Sequence, residues 1–167
     1  MSEGLRTAAV VVTYNRLPLL RQCLAALRSQ TVAPAAIWVI DNASTDGTQA
    51  TVQELGWPEL VYRNTGRNLG GAGGFAYGMR EAALAGYDAL WVMDDDTLPE
   101  PGALEELLQA DTALRGEYGW LSSRALAPDG TDQPMNRQRI TPYKDLPDYA
   151  GKCLPAVMAS FVSLFVC

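Results

Sequence analysis

The chain has 167 residues, of which 48% are hydrophobic and 19% are charged, and this balance excludes a disordered or fibrous protein. Its formal net charge of -6 at pH 7 excludes the broad basic surface of a nucleic-acid-binding protein, so any phosphate ligand must be held locally. The length predicts a single domain over residues 1–167, and the complete lack of histidine excludes a histidine base or a histidine-liganded metal.

Sequence features also bear on the compartment of the protein. The N-terminus has no signal-peptide pattern, and no apolar run reaches the roughly 20 residues that a membrane-spanning helix needs. We therefore expect a cytoplasmic protein, with peripheral association at the inner face of the membrane left open. Cys23, Cys153 and Cys167 lack the spacing of a zinc site and are expected to be reduced. The oligomeric state is not indicated.

The first two thirds of the chain alternate short apolar runs with helical patterns. Ala8–Thr13 predicts a strand buried on both faces, and leucines at helical spacing predict a helix from Leu17 to about Gln30. Further strands are predicted at Ile37–Ile40, Leu60–Tyr62 and Ala89–Met93, and further helices over Thr48–Leu55, Phe75–Ala85 and Pro101–Gln109. This alternation predicts an α/β fold with a doubly wound, mostly parallel sheet and helices on both faces.

Beyond Trp120 the pattern is less regular. Trp120–Leu126 is predicted to be a strand, Asp129-Gly130 a turn, and Leu154–Val166 a buried strand or a pair of strands. The apolar ending has no polar cap or closing helix, and we expect from this that the domain is incomplete at its C-terminal side.

The acidic triplet Asp94-Asp95-Asp96, directly after the fourth predicted strand, is the most informative feature. Three adjacent carboxylates repel one another, so a site that holds them together needs a cation, and their oxygen ligands suit Mg²⁺ or Mn²⁺. The alternative is an acidic turn whose charges lie in water.

Other polar groups follow the predicted strands and favour the metal site. They are Thr13-Tyr14-Asn15-Arg16 after the first strand, Asp41-Asn42 after the second and the glycine-rich segment Asn68–Gly74 after the third. In open α/β sheets ligands bind at this edge, and glycines before a helix expose backbone N–H groups to a phosphate. The alternatives are a helix start for the first group and a turn for the second. The glycine-rich segment matches neither the Walker pattern nor a nicotinamide dinucleotide motif.

Four segments follow one another in the sequence: V-V-V-T-Y-N-R, V-I-D-N-A-S-T-D-G-T, R-N-L-G-G-A-G-G-F and W-V-M-D-D-D-T-L-P. Together they closely resemble the family 2 inverting glycosyltransferases, which have the A-type nucleotide-diphospho-sugar transferase fold. The resemblance covers about residues 8–108 and is greatest to the galactofuranosyltransferase-like branch, with the rhamnosyltransferases close to it. It implies transfer of a sugar from a nucleotide-diphospho-sugar donor, UDP-linked, to a glycan or lipid-linked acceptor.

The resemblance also implies roles for individual residues. The nucleotide pocket would be lined by Thr13, Tyr14, Asn15 and Arg16, with Asp41 accepting a hydrogen bond from the base, Asn42 beside it, and Asn68 and Gly70 at the nucleotide and sugar region. Asp94 and Asp96 match the outer positions of the D-x-D motif that holds Mn²⁺ or Mg²⁺ against the donor diphosphate. Asp95 would face ribose or a metal-bound water.

The catalytic base is not assigned. In the family it lies well downstream of the D-x-D motif, and the late acidic residues of this chain, Asp129, Asp132, Asp145 and Asp148, have no matching context. Two alternative functions stay open: a nucleotide-sugar binding module without catalysis, and a sugar nucleotidyltransferase. The second is less favoured, because such an enzyme is expected to have a glycine-rich basic loop directly after its first strand.

Overall fold

The computed structural model describes residues 4–141, 144–145 and 153–167, and its centre is a six-stranded sheet. The strands in chain order are β1 (Thr7–Thr13), β2 (Ala36–Asp41), β3 (Leu60–Asn64), β4 (Ala89–Asp94), β5 (Leu121–Ser122), the separate pair β6 (Arg139–Thr141) and β7 (Lys144–Asp145), and β8 (Leu164–Val166). Across the sheet the order is β3-β2-β1-β4-β8-β5. The first four strands are parallel, and β8 is antiparallel to β4 and β5. The predicted, mostly parallel sheet is confirmed.

Helices cover both faces of the sheet. In chain order they are α1 (Leu17–Arg28), α2 (Thr48–Leu55), α3 (Gly70–Leu84), α4 (Ala103–Leu114) and a 3-10 turn at Pro134–Asn136. Residues of α1, α2 and α4 share a core with Val11 and Val39, whereas α3 packs on the opposite face with Val10 and Ile40. Because both faces are covered, every residue of β1 and β2 is buried, which explains their continuous apolar sequences.

The register of the parallel strands brings three strand ends together. In the β1–β2 pair Thr13 lies opposite Asp41, and in the β1–β4 pair Val12 lies opposite Asp94. The carboxyl ends of β1, β2 and β4 therefore share one edge of the sheet, and the connections to α1, α2 and α4 leave from it.

The glycine-rich segment differs from its prediction, because α3 begins at Gly70 rather than after Gly74. A Cβ atom on Gly74 would lie 2.7 Å from Cγ1 of Val12, and one on Gly78 would lie 2.6 Å from Cγ1 of Ile40. These glycines let the helix approach the sheet closely. Each glycine lowers helix propensity by about 1 kcal/mol relative to alanine, and the close packing on the sheet offsets that cost.

The last part of the chain also differs from its prediction. The predicted strand Trp120–Leu126 is reduced to β5, and the predicted strand or pair over Leu154–Val166 is reduced to β8. Val157 is 57% exposed and Phe161 is 43% exposed, so apolar character does not report burial in this segment. The predicted turn at Asp129-Gly130 is confirmed, with Gly130 at a φ of 81°.

Two successive hydrogen bonds help to hold β8 beside β4. Trp91 Nε1 donates to Ser163 Oγ at 2.8 Å, and Ser163 Oγ donates to Ser123 Oγ at 2.8 Å. Trp91 also lies opposite Phe165 in the strand pair, and neither of these side chains exposes any surface. The indole and its neighbouring strand are therefore joined by both packing and hydrogen bonding.

The three cysteines carry free thiols, as predicted, and only Cys23 is buried. In the part of the chain that the structure describes, no helix is both long and apolar enough to cross a membrane.

Candidate functional site at the carboxyl edge of the sheet

The acidic triplet lies where β4 ends. Asp94 is the last residue of the strand, and its carbonyl oxygen accepts a hydrogen bond from Thr97 N at 3.2 Å, which closes the turn that follows. Asp95 is buried with 3% exposure, whereas the Asp96 side chain is 49% exposed. The three neighbouring carboxylates therefore lie in different environments.

Asp95 is held from two sides. Thr13 Oγ1, at the end of β1, donates to Asp95 Oδ2 at 2.7 Å, and Arg16 Nη1 lies 3.4 Å from Asp95 Oδ1. The same Arg16 nitrogen lies 3.0 Å from Asp96 Oδ2. Within the described residues, Arg16 is the only cationic side chain in salt-bridge range of the triplet.

The environment of the triplet raises the pKa of two of its carboxyl groups. Burial raises the pKa of Asp94, the charges of Asp96 and Asp95 raise it further, and Arg16 opposes the shift. Burial also raises the pKa of Asp95, in spite of the hydrogen bond from Thr13 and the charge of Arg16. The triplet therefore concentrates negative charge that a single guanidinium does not fully balance.

The donor set is compatible with Mg²⁺ or Mn²⁺. The Asp94 carboxylate accepts no hydrogen bond from the described residues, so its oxygens are available to a cation. No three acidic or cysteine side chains in the described ranges converge on a point where a metal could be held. Mg²⁺ commonly binds through one or two carboxylates together with substrate phosphates, and Asp94 and Asp96 are the side chains that could hold it here.

Asp41 ends β2 and exposes no surface. Its Oδ1 accepts a hydrogen bond from Ser44 N at 2.7 Å, and its Oδ2 accepts one from Tyr62 Oη at 2.6 Å. Burial, followed by the bond to Asp41, raises the pKa of Tyr62 to about 12. The observed partners of Asp41 are thus internal, and its contact with a nucleotide base stays a prediction.

Asn42 connects β2 to the first turn of α3. Its Nδ2 donates to the carbonyl oxygen of Gly70 at 3.1 Å, and the side chain is almost wholly buried. Asn68 Oδ1 accepts from Gly70 N at 2.8 Å, and Gly70 takes a φ of 70°, a conformation that favours glycine. Asn68, Gly70 and Gly71 are exposed, so the helix start faces solvent at the same edge as the triplet.

The segment Tyr14–Arg16 is the exposed connection between β1 and α1. Tyr14 is 45% exposed, and Asn15 has a left-handed φ of 53°, which is uncommon outside glycine. Asn15 N donates to Ser44 Oγ at 2.9 Å, and Asn15 Oδ1 accepts from Thr45 N at 2.7 Å. These bonds join the β1–α1 and β2–α2 connections to each other.

Two structurally important residues were missed by sequence reasoning. Asp46 Oδ2 accepts a hydrogen bond from Leu17 N at 2.9 Å and Asp46 Oδ1 accepts from Thr48 N at 3.2 Å, so one carboxylate serves the starts of α1 and α2. Tyr62 holds the buried Asp41, as described above. The bond from Leu17 to Asp46 joins two separate connections of the fold, and local sequence does not encode such a contact.

The late acidic residues lie apart from the triplet in sequence and form other contacts. Asp129 Oδ1 accepts a hydrogen bond from Thr131 N at 3.0 Å, and Asp132 pairs with Arg124 at 2.6 Å and Arg137 at 3.7 Å. Asp148 lies outside the described residues, as does the side chain of Asp145. No catalytic base is assigned from them.

Comparison with known proteins gives a family. The sequence model of the protein family described as Glycosyl transferase family 2 matches residues 8–152 of this chain. Galactofuranosyltransferase GlfT1 of Mycolicibacterium smegmatis is 43% identical over 91 residues, which cover 54% of this chain and 30% of that protein. Undecaprenyl-phosphate mannosyltransferase of Micrococcus luteus is 34% identical over 160 residues, covering 92% of this chain and 60% of that protein. The chain therefore spans less than two thirds of these relatives.

A solved structure supports the fold assignment. The mannosyltransferase PcManGT of Pyrobaculum calidifontis, in complex with GDP-Man and Mn²⁺, superposes with a TM-score of 0.59 at 25% sequence identity. The match covers 77% of this chain and 37% of that chain. The arrangement of sheet and helices is thus that of an A-type glycosyltransferase.

Proposed function

The chain belongs to glycosyl transferase family 2, and from this we propose that it is the donor-binding part of a glycosyltransferase. The donor is a nucleotide-diphospho-sugar, UDP-linked, and the acceptor is a glycan or a lipid-linked sugar. The observation that carries the proposal is the grouping of the acidic triplet, the exposed Tyr14–Arg16 segment and the exposed start of α3 at one edge of the sheet.

The proposed roles of the residues follow from their exposure. Tyr14, Asn15 and Arg16 present exposed side chains to the nucleotide, and Asn68 and Gly70 present the start of α3. Thr13, Asp41 and Asn42 are buried and support the pocket through their hydrogen bonds. A base contact by Asp41 requires that Tyr62 or Ser44 shares an oxygen with the ligand, because both oxygens already accept hydrogen bonds.

Asp94 and Asp96 are the residues that we propose to hold Mn²⁺ or Mg²⁺. When bound, the ion would stabilise the negative charge that develops on the leaving diphosphate, an effect worth several kcal/mol. Asp95, fixed by Thr13, keeps the triplet at the end of β4. The Mn²⁺ in the PcManGT complex supports the choice of metal. A lipid-linked acceptor would bring a cytoplasmic protein to the inner face of the membrane.

Titration calorimetry with UDP in the presence and absence of Mn²⁺ tests the proposal. We expect UDP binding that depends on Mn²⁺ and is lost in Asp96→Asn, while the thermal unfolding midpoint is unchanged. Glu54→Gln, on the exposed side of α2, is the matched control that also removes one carboxylate charge. Unchanged affinity in Asp96→Asn would remove the metal assignment.

A donor-hydrolysis assay separates transfer from simple binding. Release of UDP from the donor by the protein supports a transferase. Donor binding without turnover, also in a longer version of the protein, supports the nucleotide-sugar binding module instead.

A further inference from the structure

Arg16 occupies Asp96, one of the two carboxylates proposed to hold a metal ion, together with the neighbouring Asp95. Its Nη1 lies 3.0 Å from Asp96 Oδ2 and 3.4 Å from Asp95 Oδ1, at the distances of direct ion pairs. The Arg16 side chain is itself 52% exposed, so this guanidinium is not enclosed by the protein and can move. The Arg16 guanidinium can therefore leave Asp95 and Asp96 for another anionic partner. Of these two carboxylates, Asp95 is the buried one.

The backbone on either side of Arg16 is held firmly. Asn15 is bonded to Ser44 and Thr45, and Leu17 N donates to Asp46 Oδ2 at 2.9 Å. The carbonyl oxygen of Arg16 also accepts from two amides in the first turn of α1, at 3.0 Å each. The side chain can thus change partners while its attachment point stays fixed relative to the triplet.

We propose that Arg16 is a resident counter-cation that competes with the divalent metal for the triplet and is transferred to the donor diphosphate when metal and nucleotide bind together. The inference rests on the proposed function. A divalent ion on Asp96 and a guanidinium on the same carboxylate repel each other, whereas a diphosphate beside the ion offers the guanidinium oxygens that suit its planar fork. Arg16 therefore disfavours the metal alone and favours the metal together with the nucleotide.

The proposal requires opposite effects of one substitution. In Arg16→Ala, we expect the affinity for Mn²⁺ alone to rise about tenfold, because a positive charge near the ion is lost. The affinity for UDP at saturating Mn²⁺ should fall about tenfold, because the phosphate contact is lost. A residue that only maintained the fold would weaken both.

The measurement for the metal is the loss of the free Mn²⁺ electron paramagnetic resonance signal on titration with protein, and calorimetry gives the UDP affinity. Arg21→Ala removes an exposed arginine of α1 that forms no ion pair with the triplet among the described residues, and it is the matched control in which both affinities stay at the wild-type level. Arg16→Lys retains the charge, so its affinity for Mn²⁺ alone should stay near wild type while UDP binding is partly restored.

The outcomes are distinguishable. Tighter Mn²⁺ binding together with weaker UDP binding in Arg16→Ala supports the proposal, provided that thermal unfolding matches wild type. Equal or weaker Mn²⁺ binding in Arg16→Ala, with wild type binding UDP and Mn²⁺ normally, overturns the role of Arg16 and leaves the proposed function standing. If wild type and every variant bind neither Mn²⁺ nor UDP, the proposed function fails and this inference fails with it.

Discussion

The carboxylate of Asp46 accepts a 2.9 Å hydrogen bond from the backbone N–H of Leu17, the first residue of α1, although the two residues belong to different connections of the fold. The other oxygen of the same carboxylate accepts from Thr48 N and from Thr48 Oγ1. One side chain therefore satisfies N–H groups at the starts of two helices, where negative charge is also favoured by the helix dipoles.

Substitution of Asp46 should destabilise both helix starts. We expect Asp46→Ala to lower the free energy of unfolding by about 1–2 kcal/mol, and Asp46→Asn to have a smaller effect because it keeps one acceptor oxygen. Urea denaturation of the two variants, with Glu54→Gln as a charge-matched control, measures this. A loss in Asp46→Ala no larger than in Glu54→Gln would contradict the double cap.

The contribution of Asp46 should also depend on pH. Burial is the largest single effect on the pKa of Asp46 and raises it, but the hydrogen bonds from Thr48 and Leu17 together outweigh burial, so the pKa in the folded protein lies below its ordinary value. Its stabilisation is then fully present above the unfolded pKa of about 3.9 and is lost as pH falls through the lower, folded pKa. The stability difference between wild type and Asp46→Asn should therefore shrink only below about pH 4.

Tyr62→Phe tests the support of the buried Asp41. The substitution removes the hydrogen bond to Asp41 Oδ2 and leaves a carboxylate oxygen with no surface exposure and one donor fewer. We expect a loss of about 1–3 kcal/mol in urea denaturation. Tyr77→Phe, at an intermediate-exposure position on α3, is the control and should change stability little. Equal effects of the two substitutions would show that the Tyr62 hydroxyl is not needed.

Gly78→Ala and Gly71→Ala should have opposite effects although both lie in α3. At Gly78 an added Cβ would lie 2.6 Å from Cγ1 of Ile40 and 2.8 Å from Cγ1 of Val10, so we expect a loss of about 1–3 kcal/mol from overpacking. At Gly71 nothing lies within 4 Å of the added atom, and alanine should stabilise by up to about 1 kcal/mol through helix propensity. Thermal and urea unfolding of both variants give the comparison, and stabilisation by Gly78→Ala would refute the close packing.

Mn²⁺ binding should weaken with acid at a higher pH than an ordinary aspartate predicts. Burial and the neighbouring charges of Asp96 and Asp95 raise the pKa of Asp94, and a protonated carboxyl group does not bind the ion. The affinity should therefore begin to fall at a pH above the ordinary pKa of aspartate, which is about 3.9. Titrations of Mn²⁺ at several pH values measure this, with Asp94→Asn expected to show a weaker dependence. An affinity that is constant down to about pH 4 would contradict the assignment of Asp94.

The three thiols should differ in reactivity. Cys23 exposes no surface, and burial followed by the charges of Asp95, Asp96 and Asp94 raises its pKa to about 12. Cys153 and Cys167 are exposed. A thiol reagent at neutral pH should therefore modify Cys153 and Cys167 in the native protein and Cys23 only after unfolding, because the thiolate is the reactive form. Rapid labelling of Cys23 in the native protein, located by peptide mass analysis, would argue against its burial.

The sequence was sufficient to predict the strands that are buried on both faces of the sheet. The strands β1, β2 and β4 are continuous apolar runs, because helices cover them on each side, and their ends place Thr13, Asp41 and Asp94 at one edge, as predicted. The start of α3 was predicted too late. A glycine run is read locally as a loop, but here the sheet supports the helix through Gly74 and Gly78.

The hydrogen bonds that organise the candidate site were beyond sequence reasoning. Tyr62 and Asp41 are separated by 21 residues, and Asp46 and Leu17 by 29, so no local pattern reports either contact. The simultaneous contacts of Arg16 with Asp95 and Asp96 likewise depend on two elements that meet only in the folded chain. The polar residues were found from their positions after strands, but their partners required the structure.

Gly74 and Gly78 lie one helical turn apart, so the surface of α3 that packs against β1 and β2 has no side chain at these two positions. Because no side chain separates α3 from the sheet at these positions, helix and sheet should move as one rigid body. The start of α3, which is bonded to Asn42, should move with them. Directed evolution of the carboxyl edge of the sheet toward bulkier ligands should therefore select changes in the Tyr14–Arg16 segment. Gly74 and Gly78 should stay unchanged.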